Sequence, residues 1–374
     1  MEAPPRLAGN HSATQALSPS RRGVWAAAAL LSLGVMLLSG CGEGSVQRAL
    51  DDYAAAVAAA LPDTAASTVT KPSSTPRYPD RRELRLTVPD LMIGFGDFLE
   101  ITNRCGLGPM VAERNSAMGK LMPDSRRLAY EQTLYARLAD CRDQPSQSED
   151  PEVAVFAHRL AAIVERKRAE LPRVYWNATF AGPEMADLFS ASRGRRGWTP
   201  GDGSLDRVLD AMAYLTQVYQ RLGDPDRLID VSGLESNLAV LREAYGARLL
   251  TTLVSSIMVL EQTADALASA GTLACDGVAE LLRVGAGEDV RRLADQLARL
   301  TADGELFLNA LESLALAPRA PAPAAPFAEM PAFQGFYHTV LKWRGPDSLW
   351  SRYLRARERH QSAWRGVEAA DCRV

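Results

Sequence analysis

Apolar residues recur with a helical period along most of this chain. Val46, Leu50, Tyr53, Val57 and Leu61 fall three or four positions apart, with alanines between them, and predict a short helix. Residues 62–80 interrupt that rhythm with four prolines among small polar residues, which predicts an extended tether or a strap. Leu84, Leu86 and Val88 alternate instead and carry the one short strand signal in the chain. From Pro89 the helical period returns, with Leu91 to Ile101 supplying the apolar positions and Pro89 suited to a first turn. Asp124 opens a helix whose Leu128, Leu134, Tyr135 and Leu138 run to Cys141, and residues 152–171 form the next, stopped by Pro172.

The second half of the chain has the longer stripes. Val208, Met212, Leu215, Tyr219 and Leu222 line one face of a helix over 205–222, which Gly223-Asp224-Pro225 ends. Leu234, Leu238, Leu241, Tyr245, Leu249, Leu253, Ile257, Leu260, Ala264 and Leu267 continue as one face. That predicts a rod of about 50 Å at 1.5 Å per residue, bent at Gly246 and ended by Gly271. Val290 to Leu314 gives its antiparallel return. A Pro/Ala linker over 317–331 follows, and Gly345-Pro346 then separates two final helices, the second carrying Trp350, Leu354, Gln361 and Trp364 on one face. The expected fold is all-α: an elongated helical bundle with long antiparallel helices and at most one short strand. No internal repeat is apparent.

Composition narrows the class. With 47% hydrophobic and 23% charged residues over 374 positions, the chain is globular rather than disordered. Forty-two basic against 45 acidic residues, a net of -3, supply no general attraction for nucleic acid or for anionic lipid. The first forty residues read as a signal: Arg6, Arg21 and Arg22 precede an apolar run from Val24 to Leu38 that ends in Leu38-Ser39-Gly40-Cys41. This looks like a lipobox, in which Cys41 is acylated and becomes the new amino terminus. Two or three acyl chains, at about 0.8 kcal/mol per buried methylene, hold a protein on a bilayer where one would exchange. Gly42 stands where an aspartate would retain a lipoprotein in the inner membrane, so the expected address is the outer membrane facing the periplasm. Ser20-Arg21-Arg22 also resembles the start of a twin-arginine export signal.

Export leaves Cys105, Cys141, Cys275 and Cys372 in an oxidising compartment. Four cysteines allow three pairings. Order along the chain favours Cys105 with Cys141, stapling two neighbouring helices, and Cys275 with Cys372, tying down the C-terminus. The expected organisation is a signal over 1–40, anchor, helix and tether over 41–80, a helical body over 81–316, the linker over 317–331, and C-terminal helices over 332–374 docked on the body.

Catalytic motifs are missing. The processed chain keeps His158, His338 and His360 without paired ligand spacing, and has no G-x-S-x-G elbow, phosphate loop or S-x-x-K pair. No catalytic residue, metal ligand or cofactor is assigned. Two dense segments remain as a candidate polar site. Glu113, Arg114, Asn115 and Ser116 gather four polar residues, either a ligand cluster or a helix end turning into the next helix. Arg173, Trp176 and Asn177, with Tyr175, form a mixture found in binding grooves and in helix corners alike. Trp343, Trp350 and Trp364 are expected in the core, with a docking face as the alternative.

The runs CGLGPMVAERNSAMGKLMPDSRRLAYE and KRAELPRVYWNATFAGPE, with the lipobox and the Trp364 to Cys372 ending, resemble a family of Gram-negative lipoproteins known as domain of unknown function 3080. The resemblance covers most of the processed chain and implies no activity. The expected role is that of a structural or adaptor component of the cell envelope, held on the membrane by acyl chains on Cys41 and meeting an envelope protein partner. An envelope-acting enzyme using a carboxylate such as Glu113, and a carrier of an apolar ligand, are the alternatives.

Overall fold

The computed structural model describes residues 46–61, 74–143, 151–269, 275–317 and 330–369. The signal segment with Cys41, residues 62–73, nearly all of the linker 317–331, and Cys372 lie outside them.

In chain order the α-helices are α1 (Val46–Ala59), α2 (Arg81–Leu84), α3 (Phe95–Arg104), α4 (Gly108–Asn115), α5 (Ala117–Lys120), α6 (Asp124–Asp143), α7 (Pro151–Ala178) and α8 (Pro183–Leu188). They continue with α9 (Ser204–Gln220), α10 (Val231–Leu241), α11 (Tyr245–Ser269), α12 (Cys275–Gly285), α13 (Glu288–Leu316), α14 (Pro331–Phe336) and α15 (Leu349–Glu368). Among the described residues there is no strand, and the fold is all-α.

Two cores share α7. Its first half, through Phe156, Leu160 and Val164, packs with Ile101, Leu107, Tyr135 and Leu138 of α3, the α3–α4 turn and α6. Its last turns, through Val174, Tyr175 and Trp176, enter a larger core built on α9, α11, α13 and α15. The helix therefore runs straight through Pro172, where a stop was expected. A proline inside a helix costs about 3 kcal/mol or more. Leu171, Val174, Tyr175 and Trp176, each 1% exposed or less, offset that at about 1.5 to 3 kcal/mol per buried side chain.

The rod expected over 234–267 is two helices. Ala244 breaks it with a φ of 58°, and its amide closes a turn back to the Leu241 carbonyl at 3.2 Å. The apolar stripe does not register the break because α10 and α11 bury their faces in the same core. Gly246 sits just past the break, where a Cβ would lie 2.8 Å from the Phe189 ring; it allows the close approach of α8 rather than a bend.

Leu84, Leu86 and Val88 are not a strand. Residues 81–84 form a helical turn, Arg85 is extended, 85–90 carry no regular secondary structure, and no strand among the described residues pairs with them. The helix expected from Pro89 starts only at Phe95, after Gly94.

α15 packs mainly along α11. Its buried face is Leu349, Trp350, Tyr353, Ala356 and Val367, while Leu354 and Gln361, expected on that face with Trp350 and Trp364, are exposed. Two tryptophans fit glycine notches: a Cβ on Gly304 would lie 2.5 Å from the Trp350 ring, and one on Gly285 would lie 2.9 Å from the Trp364 ring. Trp343 is buried as well, and its ring meets Trp350 edge to face at 6.1 Å.

Candidate functional site

Glu113, Arg114, Asn115 and Ser116 form the corner between α4 and α5. The Ser116 hydroxyl accepts the Gly119 amide at 3.0 Å, capping α5, and donates to the Glu113 carbonyl at 2.7 Å. Arg114 donates to the Gly119 carbonyl at 2.8 Å. The Glu113 and Asn115 side chains are exposed. Capping thus accounts for these residue types at this spacing, and Glu113 lines none of the cavities described below.

The second segment is a clamp. Asn177 grips one residue of the extended stretch twice: its Oδ1 accepts the Leu86 amide at 2.8 Å and its Nδ2 donates to the Leu86 carbonyl at 2.8 Å. Trp176 Nε1 donates to the Leu84 carbonyl at 2.7 Å. A side-chain amide thus does for Leu86 what a neighbouring strand would do, which is why the alternation of Leu84 and Leu86 carries no sheet. Tyr78 and Arg81 donate to the Phe180 and Ala181 carbonyls at 2.7 and 2.9 Å and fasten the same stretch from its other end. Arg173 is partly buried, while Trp176 and Asn177 are almost wholly so.

Helices α6 and α7 meet in a buried ion network that carries no contiguous sequence signal. Lys167 Nζ donates to Glu131 at 3.0 Å and to Glu170 at 3.1 Å, all three side chains being 8% exposed. Arg127 and Arg166 lie at 3.8 and 3.2 Å from the same carboxylates. The i, i+3 spacing of Lys167 and Glu170 was visible, but nothing local pointed to Glu131. The Cys105–Cys141 disulfide is formed, with a Cα–Cα distance of 5.4 Å, and joins the end of α3 to α6. Cys275 is disulfide-bonded too; the pairing expected for it, with Cys372, lies outside the described residues.

A cavity of about 310 Å³ near both segments is lined by Arg81, Arg85, Lys120, Asp124 and Glu184. Its carboxylates are already engaged, Asp124 by a bidentate Arg85 and Glu184 by Arg242 at 2.5 Å. Neither Glu113 nor Asn177 lines it.

A cavity of about 440 Å³ lies elsewhere, beside α15, with Tyr53, Leu260, Leu293, Leu297, His360 and Trp364 in its wall. Trp364 Nε1 donates to the Tyr53 hydroxyl at 2.9 Å, and that hydroxyl lies 2.5 Å from His360 Nε2. Burial pushes the Tyr53 phenol up to about 12 and lowers His360 from 6.5 to about 4. The imidazole is therefore neutral at neutral pH. The helical stripe marks Tyr53 as a core position, which it is, and a contact across 307 residues leaves no local sequence signal. Among the described residues no cluster of three or more His, Cys, Asp or Glu is placed to hold a metal ion.

The depressed His360 value has a measurable consequence. Between pH 6.5 and 4 the unfolded chain binds a proton that the folded chain refuses. The stability held through this residue is therefore full above pH 6.5 and is lost as pH falls toward 4, by up to about 1.4 kcal/mol per pH unit. Urea unfolding of the parent and of His360→Gln across that range should give a stability difference that changes with this slope. A difference independent of pH would contradict the burial of a neutral imidazole.

The model of a family described as protein of unknown function (DUF3080) matches residues 50–280. No curated protein and no solved structure matches the chain.

Proposed function

This chain belongs to the protein family of unknown function DUF3080, and from that premise we propose that it works as a lipid-anchored helical adaptor on the periplasmic side of the outer membrane. The observation that carries this reading is the burial of α1. Val46 follows the lipobox cysteine Cys41 by five positions, and Val46, Leu50, Tyr53 and Val57 are each 1% exposed or less. Five residues span at most about 17 Å. An acyl group on Cys41 would then hold a rigid body close to the bilayer rather than at the end of a loose tether. No helix among the described residues is long and apolar enough to cross a membrane.

A partner surface is available on α3. Phe95 and Leu99 lie four positions apart on one helix face, with Met92 just before it, and all three are exposed, Met92 at 83% and Phe95 at 75%. The enzyme alternative loses its support because Glu113 sits exposed on a helix corner. The carrier alternative gains support from the cavity beside α15.

Two measurements test the adaptor. A photo-crosslinking residue at position 95 should give a discrete adduct with an envelope protein, and the same residue at exposed Leu306 should not. Cys41→Ser should abolish both fatty-acid labelling and the adduct. Equal crosslinking from 95 and 306, or labelling that survives Cys41→Ser, would overturn it.

A further inference from the structure

The last helix presents Arg357, His360, Gln361, Trp364, Arg365 and Glu368 to the cavity wall, spaced as one helical face. Behind them the cavity is apolar, with Leu260, Leu293 and Leu297 buried. Its polar groups are unusual in what they leave open. Trp364 Nε1 can only donate, so the Tyr53 oxygen accepts from it, and the Tyr53 hydroxyl also meets His360 Nε2 and Thr263. In the tautomer whose Nε2 accepts the Tyr53 proton, the imidazole proton lies on Nδ1, which has no hydrogen-bond partner among the described residues. The Arg357 guanidinium donates to Thr301 Oγ1 at 2.5 Å and lies 5.7 Å from the Tyr353 ring centroid, but no carboxylate among the described residues pairs with it or with Arg365. With His360 neutral and Glu368 the lone carboxylate in the wall, the cavity carries one net positive charge.

We infer that this cavity binds an amphiphile with an apolar chain and a single anionic head. The chain would lie against Leu260, Leu293, Leu297 and Trp364, and the head would accept from His360 Nδ1–H beside Arg357 and Arg365. The volume of about 440 Å³ suits such a ligand, since sites for small molecules run from about 300 to 1,000 Å³ with few polar groups on an apolar wall. This deepens the carrier alternative and does not depend on the adaptor reading. The same chemistry has two sources, a free fatty carboxylate and an anionic lipid with one acyl chain.

Calorimetric titration of the full chain held in amphipol, against empty amphipol, separates the outcomes. Laurate probes the free carboxylate, lysophosphatidylglycerol the lipid, and dodecyltrimethylammonium the same chain length with a cationic head. One or both anions should saturate at one per chain, at least tenfold tighter than the cation. Ala294→Trp, a change at an exposed position of the cavity wall, should weaken that binding at least tenfold with an unchanged melting temperature. His360→Phe, which keeps the ring and removes the donor, should erase most of the preference for the anion. Absence of saturation, equal affinity for the cation, or undiminished binding by Ala294→Trp would each overturn the inference, while leaving the crosslinking test of the adaptor untouched.

Discussion

Asn177→Leu is expected to lower the stability of the folded protein by about 2 to 6 kcal/mol although it removes only one small side-chain amide. The Leu86 amide and carbonyl both end on Asn177, at 2.8 Å each, in a place where Leu86 is 8% exposed and Asn177 is 3% exposed. Leucine nearly conserves shape, so packing changes little, but two buried backbone groups lose their partners at about 1 to 3 kcal/mol apiece. Tyr78→Phe, which removes a single bond to the Phe180 carbonyl, should cost about half as much. Denaturant unfolding gives the energies, and hydrogen exchange gives the location, because the Leu86 amide should lose its protection first. An Asn177→Leu protein within 1 kcal/mol of the parent, with Leu86 still protected, would mean that the extended stretch is held by something other than this clamp.

The same residues show where sequence reading stopped. The stripe Val208, Met212, Leu215 and Tyr219 is buried as its period implied, because one face of α9 meets one core. The pairing of Cys105 with Cys141 was legible from order alone and is formed. The break at Ala244 was not legible, since a hydrophobic stripe records which residues are inside and not whether the backbone between them stays helical. Nor was the fate of Leu84 and Leu86, whose alternation reports an extended chain with one side buried and says nothing of what satisfies its amides. Trp176 and Asn177 could be flagged as a mixture common to grooves and corners, and the choice between the two needed the position of a segment some ninety residues away in sequence. His360 was passed over because its partner Tyr53 stands at the other end of the chain.

Lys167→Met should be about as damaging, for an electrostatic reason. Lys167 is the shared cation of Glu131 and Glu170, and removing one member of a buried ion network while leaving its counter-charges typically costs about 3 to 5 kcal/mol. The lower end of that range is expected here. Arg166 keeps Glu170 at 3.2 Å and Arg127 lies 3.8 Å from Glu131, so neither carboxylate is wholly abandoned. Replacing all three by apolar residues of similar size, Lys167→Met with Glu131→Leu and Glu170→Leu, should recover part of the loss, because the attraction among the three is largely offset by the cost of taking them out of water, while Arg127 and Arg166 lose their counter-charges. Equilibrium unfolding of the single and triple variants decides the matter. A triple variant no more stable than Lys167→Met would show that the network contributes attraction well beyond its desolvation cost. A single variant equal to the parent would show that α6 and α7 are held together by their apolar faces alone.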